Sequence, residues 1–338
     1  RVVTLRGKAG VLDSTYLRYL LQTDEMQSQL KSRATGTTVL GIKQSELRKV
    51  VLSLPSYEVQ TSAAAVLKAI DDRIALLRET NATLEAIAQA LFKSWFVDFD
   101  PVRAKMEGRV PEGMDEATAA LFPDGLGESG SALVPKGWRH CTVGEAFVLT
   151  MGQSPPGDTY NEAGIGLAFY QGRTDFGIRF PTRRIYCDAP TRVAEAGDTL
   201  VSVRAPVGDV NMAIEKCCIG RGVASVRHNL GYRSFTFYAM QGLGARFEPF
   251  DSEGTVFGSI NKKDFQALPV IQPPSVLVAA YEAISSSVDD RIISNEEQIR
   301  TLSSLRDTLL PRLISGQLRL PEVAPLDEDI SHHAYAQL

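Results

Sequence analysis

Apolar side chains recur every three to four residues along two long stretches of this chain, which is the period of a helix with one buried face. In the first stretch, residues 58–97, neither Gly nor Pro interrupts positions 58–96. Its apolar residues and one Asn form a heptad seam of Leu67, Ile74, Asn81 and Ala88 interleaved with Ile70, Leu77, Leu84 and Leu91. A seam of this length predicts a long helix that packs along a second helix.

The second stretch, residues 275–320, repeats the first at an offset of 218 residues. Asp71-Asp72-Arg73-Ile74 returns as Asp289-Asp290-Arg291-Ile292. Its seam consists of Ser285, Ile292, Ile299 and Arg306 interleaved with Val288, Asn295, Leu302 and Leu309. Two copies of one unit favour pseudo-two-fold symmetry, so we predict two long antiparallel coiled-coil helices.

Each seam contains one asparagine near its middle, Asn81 in the first and Asn295 in the second. A buried polar pair lowers the stability of a coiled coil but fixes its register. We therefore predict that these two amides face each other. The alternative, in which both lie at the solvated edge of the seam, fits the same sequence.

The rest of the chain consists of short apolar runs separated by Gly and Pro, which indicates strand-rich α/β lobes and an α+β protein overall. The repeat extends into these lobes, since Thr38–Ile42 resembles Thr255–Ile260. Subtracting the offset places the equivalent of Trp138 about 80 residues before Arg1. We therefore expect a first lobe that lacks its beginning. The predicted divisions are a first-lobe remnant at 1–57, helices at 58–97 and 275–320, a linker at 98–133, a complete second lobe at 134–274, and a disordered acidic tail at 321–338.

Several smaller elements can also be predicted. Tyr16–Leu21 has the pattern of a short helix, and Val50–Pro55 that of a buried strand ended by Pro. Asp115–Leu121 is the one helical piece expected in the linker. In the second lobe, Ser202–Asn211 has the pattern of a strand, a tight turn and a strand.

The net charge of −4 does not by itself suggest a nucleic-acid-binding protein, but its distribution does. Residues 171–233 contain ten basic residues, nine of them Arg, and six acidic residues. The net charge of this window is therefore +4, and that of the rest of the chain is −8. Arg side chains bind guanine edges and phosphates in bidentate fashion, so DNA contact is plausible here. Arg is also common on ordinary strand surfaces, so the window could instead be such a surface.

We find no catalytic, cofactor or metal-binding pattern in the sequence. Ser154-Pro155-Pro156-Gly157 is close to the motif of amino-group methyltransferases but lacks the aromatic residue that stacks on a flipped base. The four histidines form no ligand set, and no phosphate-binding glycine loop occurs. The four cysteines lack zinc-site spacing, which favours buried reduced thiols in a cytoplasmic protein.

Six polar side chains of the second lobe are suited to contacting bases. Amides of the Asn and Gln type pair with adenine, and a guanidinium pairs with guanine. The six occur in loops and in the predicted hairpin, although the same loops could be ordinary surface turns. We predict DNA contacts from Gln153, Gln171, Arg173, Thr174, Arg204 and Asn211.

A few further motifs are specific. They are Leu91–Val102 after the first helix, the two copies of Asp-Asp-Arg-Ile, Leu309–Gly316 at the end of the second helix, Pro135–Trp138 at the start of the second lobe, and the turn Val203–Gly208. Through these motifs the chain resembles the specificity subunit of type I restriction-modification systems, and the resemblance covers essentially the whole chain.

The resemblance implies that each lobe is a target recognition domain that binds one half of a bipartite sequence in double-stranded DNA. The paired helices would hold the lobes apart and bind two methyltransferase (modification) subunits, which in turn recruit ATP-dependent restriction subunits. The chain itself would hold no cofactor and no metal and would not contact a membrane. The missing start of the first lobe puts recognition of the first half-site in doubt.

Two other functions remain open from the sequence. The chain could be the DNA-reading end of a fused restriction or methylation enzyme, which would require a catalytic domain elsewhere in the polypeptide. It could also be a coiled-coil adaptor without a role on DNA. That second alternative accounts for the seams but leaves the Arg-rich window unexplained.

Overall fold

The computed structural model describes residues 2–35, 41–129, 132–252 and 258–320. Contacts divide the chain into two compact units. The first unit contains the residues up to Thr80 and those from Asn295 onwards, and the second contains Asn81–Ser294. Both long helices contribute to both units. The predicted tail at 321–338 and most of the repeated Thr38–Ile42 and Thr255–Ile260 segments lie outside the described residues.

The helices of the described residues include two of 40 residues each, at the predicted positions. The first begins one residue before its predicted start, and the second ends six residues before its predicted end. In chain order the helices are α1 Ser14–Leu20, α2 Asp24–Ser32, α3 Gln44–Leu47, α4 Tyr57–Phe96, α5 Asp100–Met106, α6 Glu116–Ala120, α7 Val143–Ala146, α8 Arg233–Gln241, α9 Gly244–Ser252, α10 Lys262–Ala267 and α11 Ser275–Ile314.

The described strands all follow α6. In chain order they are β1 Leu126–Ser129, β2 Ala132–Pro135, β3 Arg139–Thr142, β4 Phe147–Met151, β5 Tyr160–Asn161, β6 Leu167–Tyr170, β7 Ile185–Cys187, β8 Val193–Ala194, β9 Thr199–Ser202, β10 Val210–Met212, β11 Cys217–Ile219, β12 Val223–His228 and β13 Pro269–Gln272.

Two larger sheets form the body of the second lobe. One has the order β10-β9-β12-β4 and is antiparallel throughout. The other has the order β5-β7-β6-β11-β8, and only its β6–β11 pair is parallel. The predicted hairpin is confirmed as β9 and β10, which pair antiparallel with Val201 opposite Val210. Together with the two long helices, this gives the α+β fold that the sequence predicts.

In the first unit, α4 and α11 pack antiparallel along the predicted seam. Ile74, Leu77 and Ile299 are buried against one another, and Leu67 and Leu310 share the adjoining core with α1. The order of these contacts shows that the two helices are antiparallel. Leu67 precedes Ile74 in α4, whereas their partners Leu310 and Ile299 occur in the opposite order in α11. The seam positions bury their side chains as heptad packing requires.

A carboxylate of α4 ties the first lobe to the helices. Asp71 accepts hydrogen bonds from the Tyr19 hydroxyl of α1 at 2.7 Å and from Arg306 of α11 at 3.0 Å. Burial alone would raise the pKa of Asp71, but these two hydrogen bonds hold it below its ordinary value. Asp71 is the first residue of the repeated Asp-Asp-Arg-Ile motif, so the motif has a structural role here.

In the second unit, the end of α4 packs against the beginning of α11 through aromatic rings. Phe92 and Phe96 of α4 contact Tyr281 of α11 with ring centroids 5.7 and 5.3 Å apart. The Tyr281 hydroxyl also donates to the carbonyl of Ala88 at 3.2 Å. Phe96 and Phe99 then contact Trp138, which joins the helix end to the second lobe.

The predicted strand Val50–Pro55 is wrong, because these residues lie outside any strand. The segment is also not fully buried as predicted: Leu52 and Leu54 pack on the core of the first unit while Val51 is exposed. The offset of 218 relates this segment to β13, which pairs with β3.

The predicted linker contains more regular structure than expected. The short helix at Asp115–Leu121 is confirmed as α6, but α5 and the strands β1 and β2 also lie at or inside its limits. The pattern of α5 was hidden by Pro101, which occupies the first turn of the helix, where it removes no hydrogen bond. The four cysteines are free and buried, in agreement with the prediction.

Candidate functional site

Four loops of the second lobe meet around the turn between β11 and β12. The backbone N–H of Gln153 donates to the carbonyl of Ile219 at 3.0 Å, and that of Gly222 donates to the carbonyl of Gln171 at 3.1 Å. The N–H of Val203 donates to the carbonyl of Gly222 at 2.9 Å. We call these loops the loop cluster, and they are Gly152–Ser154, Gln171–Thr174, Val203–Gly208 and Gly220–Gly222.

Glycines make this convergence possible. A Cβ atom on Gly152 would lie 2.2 Å from the carbonyl oxygen of Gly220, and one on Gly222 would lie 2.3 Å from that of Gln171. Contacts this short with backbone atoms require the loops to separate. The cluster therefore depends on glycine at both positions to keep its loops within hydrogen-bonding distance.

Five of the six predicted DNA-binding residues are exposed on the loop cluster. The exposed residues on three of its loops include Gln153, Gln171, Thr174 and Arg204. Arg173 is also exposed, and its Nε donates to a carboxylate oxygen of Asp209. The structure thus brings together side chains that lie up to 51 residues apart in sequence.

Asn211 differs from the other five and requires a correction. Its side chain is 2% exposed, and its amide is used on the backbone. The Oδ1 atom accepts from the N–H of Gly177 at 3.1 Å, and Nδ2 donates to the carbonyls of Gly177 at 3.1 Å and Val210 at 2.8 Å. In this arrangement Asn211 holds a neighbouring turn, and its buried amide is not accessible to a base.

Most cations of the Arg-rich window are held by acidic groups. Arg227 pairs with Asp198, and Arg184 with Asp175, whose carboxylates are both buried. A cation held this way serves the fold of the lobe. Seven of the ten form ion pairs: Arg173, Arg179, Arg183, Arg184, Lys216, Arg227 and Arg233.

The other three, Arg192, Arg204 and Arg221, are exposed and form no ion pair with any described residue. Arg221 forms the tip of the β11–β12 turn at the centre of the loop cluster, and its N–H donates to the Ser154 hydroxyl at 3.2 Å. Arg221 is not among the six residues predicted from the sequence. Its signal was present as a lone Arg between Gly220 and Gly222, with an apolar run on either side.

A buried ion network anchors the second lobe to both long helices. The Arg179 guanidinium donates to Asp289 of α11 at 2.5 Å, to the Tyr238 hydroxyl at 2.8 Å and to Glu85 of α4. It also lies 4.0 Å from the ring centre of Phe237. Burial raises the pKa of Asp289 to about 6, against the opposing effect of Arg179, so the carboxylate is ionised at neutral pH.

Asp289 is the repeat equivalent of Asp71, and each carboxylate joins a lobe to the helices within its own unit. In both units the first carboxylate of the Asp-Asp-Arg-Ile motif accepts hydrogen bonds from the lobe, which accounts for the occurrence of the motif in both helices. The predicted register residues, Asn81 and Asn295, are both buried. They belong to different units, and their pairing stays a prediction.

The described part of the chain contains neither a candidate metal site nor a candidate membrane-spanning helix. No group of three or more His, Cys, Asp or Glu side chains there could hold a metal ion. No described helix combines the length and apolar character needed to cross a bilayer.

Residues 2–86 match the family model of the type I restriction modification DNA specificity domain. Curated relatives agree over most of the chain. The MjaIX type I restriction enzyme specificity subunit of Methanocaldococcus jannaschii is 26% identical over 94% of this chain and 71% of its own length. The HindI specificity subunit of Haemophilus influenzae is 24% identical over 94% of this chain and 80% of its own length.

A solved structure shows a similar fold. It is the S subunit of a type I restriction-modification system from M. genitalium, which is 18% identical with a TM-score of 0.57. The similarity covers 93% of this chain and 74% of that one. At this identity the comparison supports the fold alone.

Proposed function

This chain belongs to the family of DNA specificity subunits of type I restriction-modification systems, and we propose that its second lobe reads one half of a bipartite DNA target through the loop cluster. Membership in the family gives the general function, which is DNA sequence specificity without catalysis. The assignment of DNA reading to the loop cluster depends on one observation. Arg204 and Arg221 are exposed on converging loops and are free of ion pairs among the described residues.

The cluster offers both kinds of group that read a base pair. Arg204 and Arg221 can place a guanidinium fork on guanine, and Gln153 and Gln171 can place an amide on adenine. Arg173 is held by Asp209 in an exposed pair, which contributes little to stability and is replaceable by a phosphate. Asn211 would act indirectly, by fixing a turn beside these groups.

We further propose that the helix pair sets the distance between two half-sites. Helices of 40 residues give a stiff spacer, whereas a flexible linker would accept many distances. The same helices would bind two methyltransferase subunits, and the assembled complex would recruit the ATP-dependent restriction subunits. In this proposal the chain works in the cytoplasm and holds no cofactor.

The test uses the full chain assembled with its methyltransferase subunits. Methylation mapping in cells first identifies the target. Binding of the Arg204→Ala and Arg221→Ala complexes is then measured by fluorescence anisotropy on target and substituted duplexes at two salt concentrations. Each substitution should cost about 1–3 kcal/mol on the target and relax base choice at one position. Arg173→Ala should act mainly through the salt dependence, whose slope falls by about one unit for each phosphate that the protein no longer neutralises.

Arg183→Ala is the matched control, because Arg183 is a half-exposed arginine of the same lobe that is paired with Glu215. It should leave both affinity and base choice unchanged. If Arg204→Ala and Arg221→Ala bind the target as the wild type does, the loop cluster is not the reading surface. If the assembled complex shows no preference for any DNA, the chain acts as an adaptor.

A further inference from the structure

The tip of one turn in the second lobe presents a fully exposed isoleucine. Ile178 is 101% exposed, and it follows directly after Gly177 in the segment Phe176–Pro181. The N–H of Gly177 donates to the carbonyl of Phe180 at 3.1 Å, which closes the turn. A Cβ atom on Gly177 would lie 2.5 Å from that carbonyl oxygen, so the turn closes this tightly only with glycine.

The backbone on both sides of Ile178 is held in place. On one side the buried Asn211 amide bonds both the N–H and the carbonyl of Gly177 at 3.1 Å. On the other side the Arg179 side chain is 5% exposed within its ion network, and its carbonyl accepts from Met212 at 2.9 Å. The turn is therefore fixed while its apolar side chain remains in water.

Single exposed apolar residues are common on protein surfaces and do not by themselves mark an interface. Ile178 differs because a buried amide and a buried guanidinium are both committed to fixing its neighbours. A turn whose backbone is fixed before binding loses little backbone entropy when its side chain makes a contact. Such an arrangement suits a residue that must meet its partner in one orientation.

The surroundings of Ile178 indicate what that partner is. Ile178 and Arg173 line the same shallow depression of about 300 Å³ beside the loop cluster, together with Asp209 and Gln241. A protein-binding patch would continue with further apolar side chains. Ile178 is the exposed apolar side chain of this depression, where the other two apolar lining residues, Phe176 and Val210, are half-buried. Amide and charged groups surround the isoleucine, which is the composition that meets the edges of base pairs in a DNA groove.

We propose that Ile178 contacts the C5-methyl group of a thymine in the DNA target. The methyl group is the apolar feature by which the major groove distinguishes thymine from the other bases. Asn211 and Arg179 then act as positioning residues that hold the turn. This inference rests on the proposed function, since it requires the second lobe to bind DNA.

The test measures Ile178→Ala in the full complex, on target duplexes in which each thymine in turn is replaced by deoxyuridine, which lacks the methyl group. For the wild type, one replacement should weaken binding by about fivefold, the effect of one buried methyl group and its contact. Ile178→Ala should lose about the same factor on the unmodified target. It should also be insensitive to deoxyuridine at that one position. Because the side chain is fully exposed, the melting temperature should not change.

The matched control is Ile165→Ala, another exposed isoleucine of the same lobe that lies outside the loop cluster. It should keep the wild-type response to every replacement. Asn211→Ala should weaken the deoxyuridine response, because it frees the turn. Its melting temperature identifies any loss of folding, and Ile178→Ala remains decisive in that case.

An unchanged affinity of Ile178→Ala would overturn the inference, and so would a loss that no deoxyuridine replacement reproduces. If Ile178→Ala impairs assembly with the methyltransferase subunits in the absence of DNA, the isoleucine is a protein contact and the inference is wrong. These failures are separable from failure of the proposed function. Arg204→Ala and Arg221→Ala would still weaken target binding when only the role of Ile178 is mistaken.

Discussion

Replacing Arg179 by Met should destabilise the second unit strongly, because it removes the cation of a buried network. Met fills most of the volume but leaves the Asp289 carboxylate, which is 0% exposed, without its 2.5 Å partner. Removing one member of a buried pair costs about 3–5 kcal/mol. For a unit of this size that corresponds to a melting temperature lower by roughly 10 °C.

The second substitution distinguishes charge from packing. Burial already raises the pKa of Asp289 to about 6, so making this side chain neutral should be tolerated. Asp289→Asn alone should cost only about 1 kcal/mol, because Arg179 keeps Glu85 as its partner. The double variant should recover about 2–3 kcal/mol of the Arg179→Met loss, which is the coupling expected of groups in one network.

Urea unfolding followed by tryptophan fluorescence is the assay, since Trp95 and Trp138, the two tryptophans of the chain, both lie in the second unit. Arg183→Met provides the control, because its pair with Glu215 is partly exposed and should be worth less than about 1 kcal/mol. If Arg179→Met stays within about 1 kcal/mol of the wild type, or if the two losses simply add, the network does not carry the stability assigned to it.

Two further predictions concern pH and spacing. The pKa of Asp289 is raised on folding, so its contribution to stability is present at pH 4 and is lost as the pH rises through about 6. The wild type should therefore lose about 2–3 kcal/mol relative to Asp289→Asn between pH 4 and 7. Asp71, whose pKa is lowered, contributes stability above its unfolded pKa and loses it only as the pH falls below about 4, so Asp71→Asn should gain on the wild type there. Urea midpoints from pH 2 to pH 7 measure both effects, and curves that run parallel to the wild type would refute the assignment. Inserting four residues between Ala69 and Leu91 lengthens the helix by about 6 Å and should shift the preferred half-site spacing by about two base pairs, which binding to duplexes of varied spacer length measures. An unchanged spacing preference would exclude the helices as a ruler.

Patterns that repeat locally could be predicted from the sequence. The seam residues Leu67 and Ile74 are buried where the heptad pattern puts them, because helix packing depends on side chains three and four positions apart. The β9–β10 hairpin could be predicted for the same reason. The segment Val50–Pro55 could not, because a strand requires a partner that no local pattern supplies.

The roles of the arginines depend on distant partners, so composition alone could not assign them. Arg179 and Arg204 look alike in sequence, but Arg179 meets acids 94 and 110 residues away while Arg204 meets none among the described residues. The number of basic residues at 171–233 therefore overestimated the number of cations available for binding, because seven of the ten form ion pairs. What remains after pairing is a smaller set that is concentrated at the loop cluster.

The two repeated aspartates indicate how the helices and the lobes divide their tasks. Asp71 and Asp289 occupy equivalent positions on α4 and α11, yet their donors differ: Tyr19 and Arg306 bond the first, and Arg179 and Ser234 bond the second. The helices thus supply a constant acceptor, and each lobe supplies its own donor. A lobe with different reading loops can use the same attachment if it brings a donor to that carboxylate, since the stabilising charge–dipole and ionic contacts depend on the donor group and not on the loops beyond it. If the loop cluster reads DNA as proposed, attachment and recognition are carried by different residues of the lobe, and base choice can vary without disturbing the helix pair.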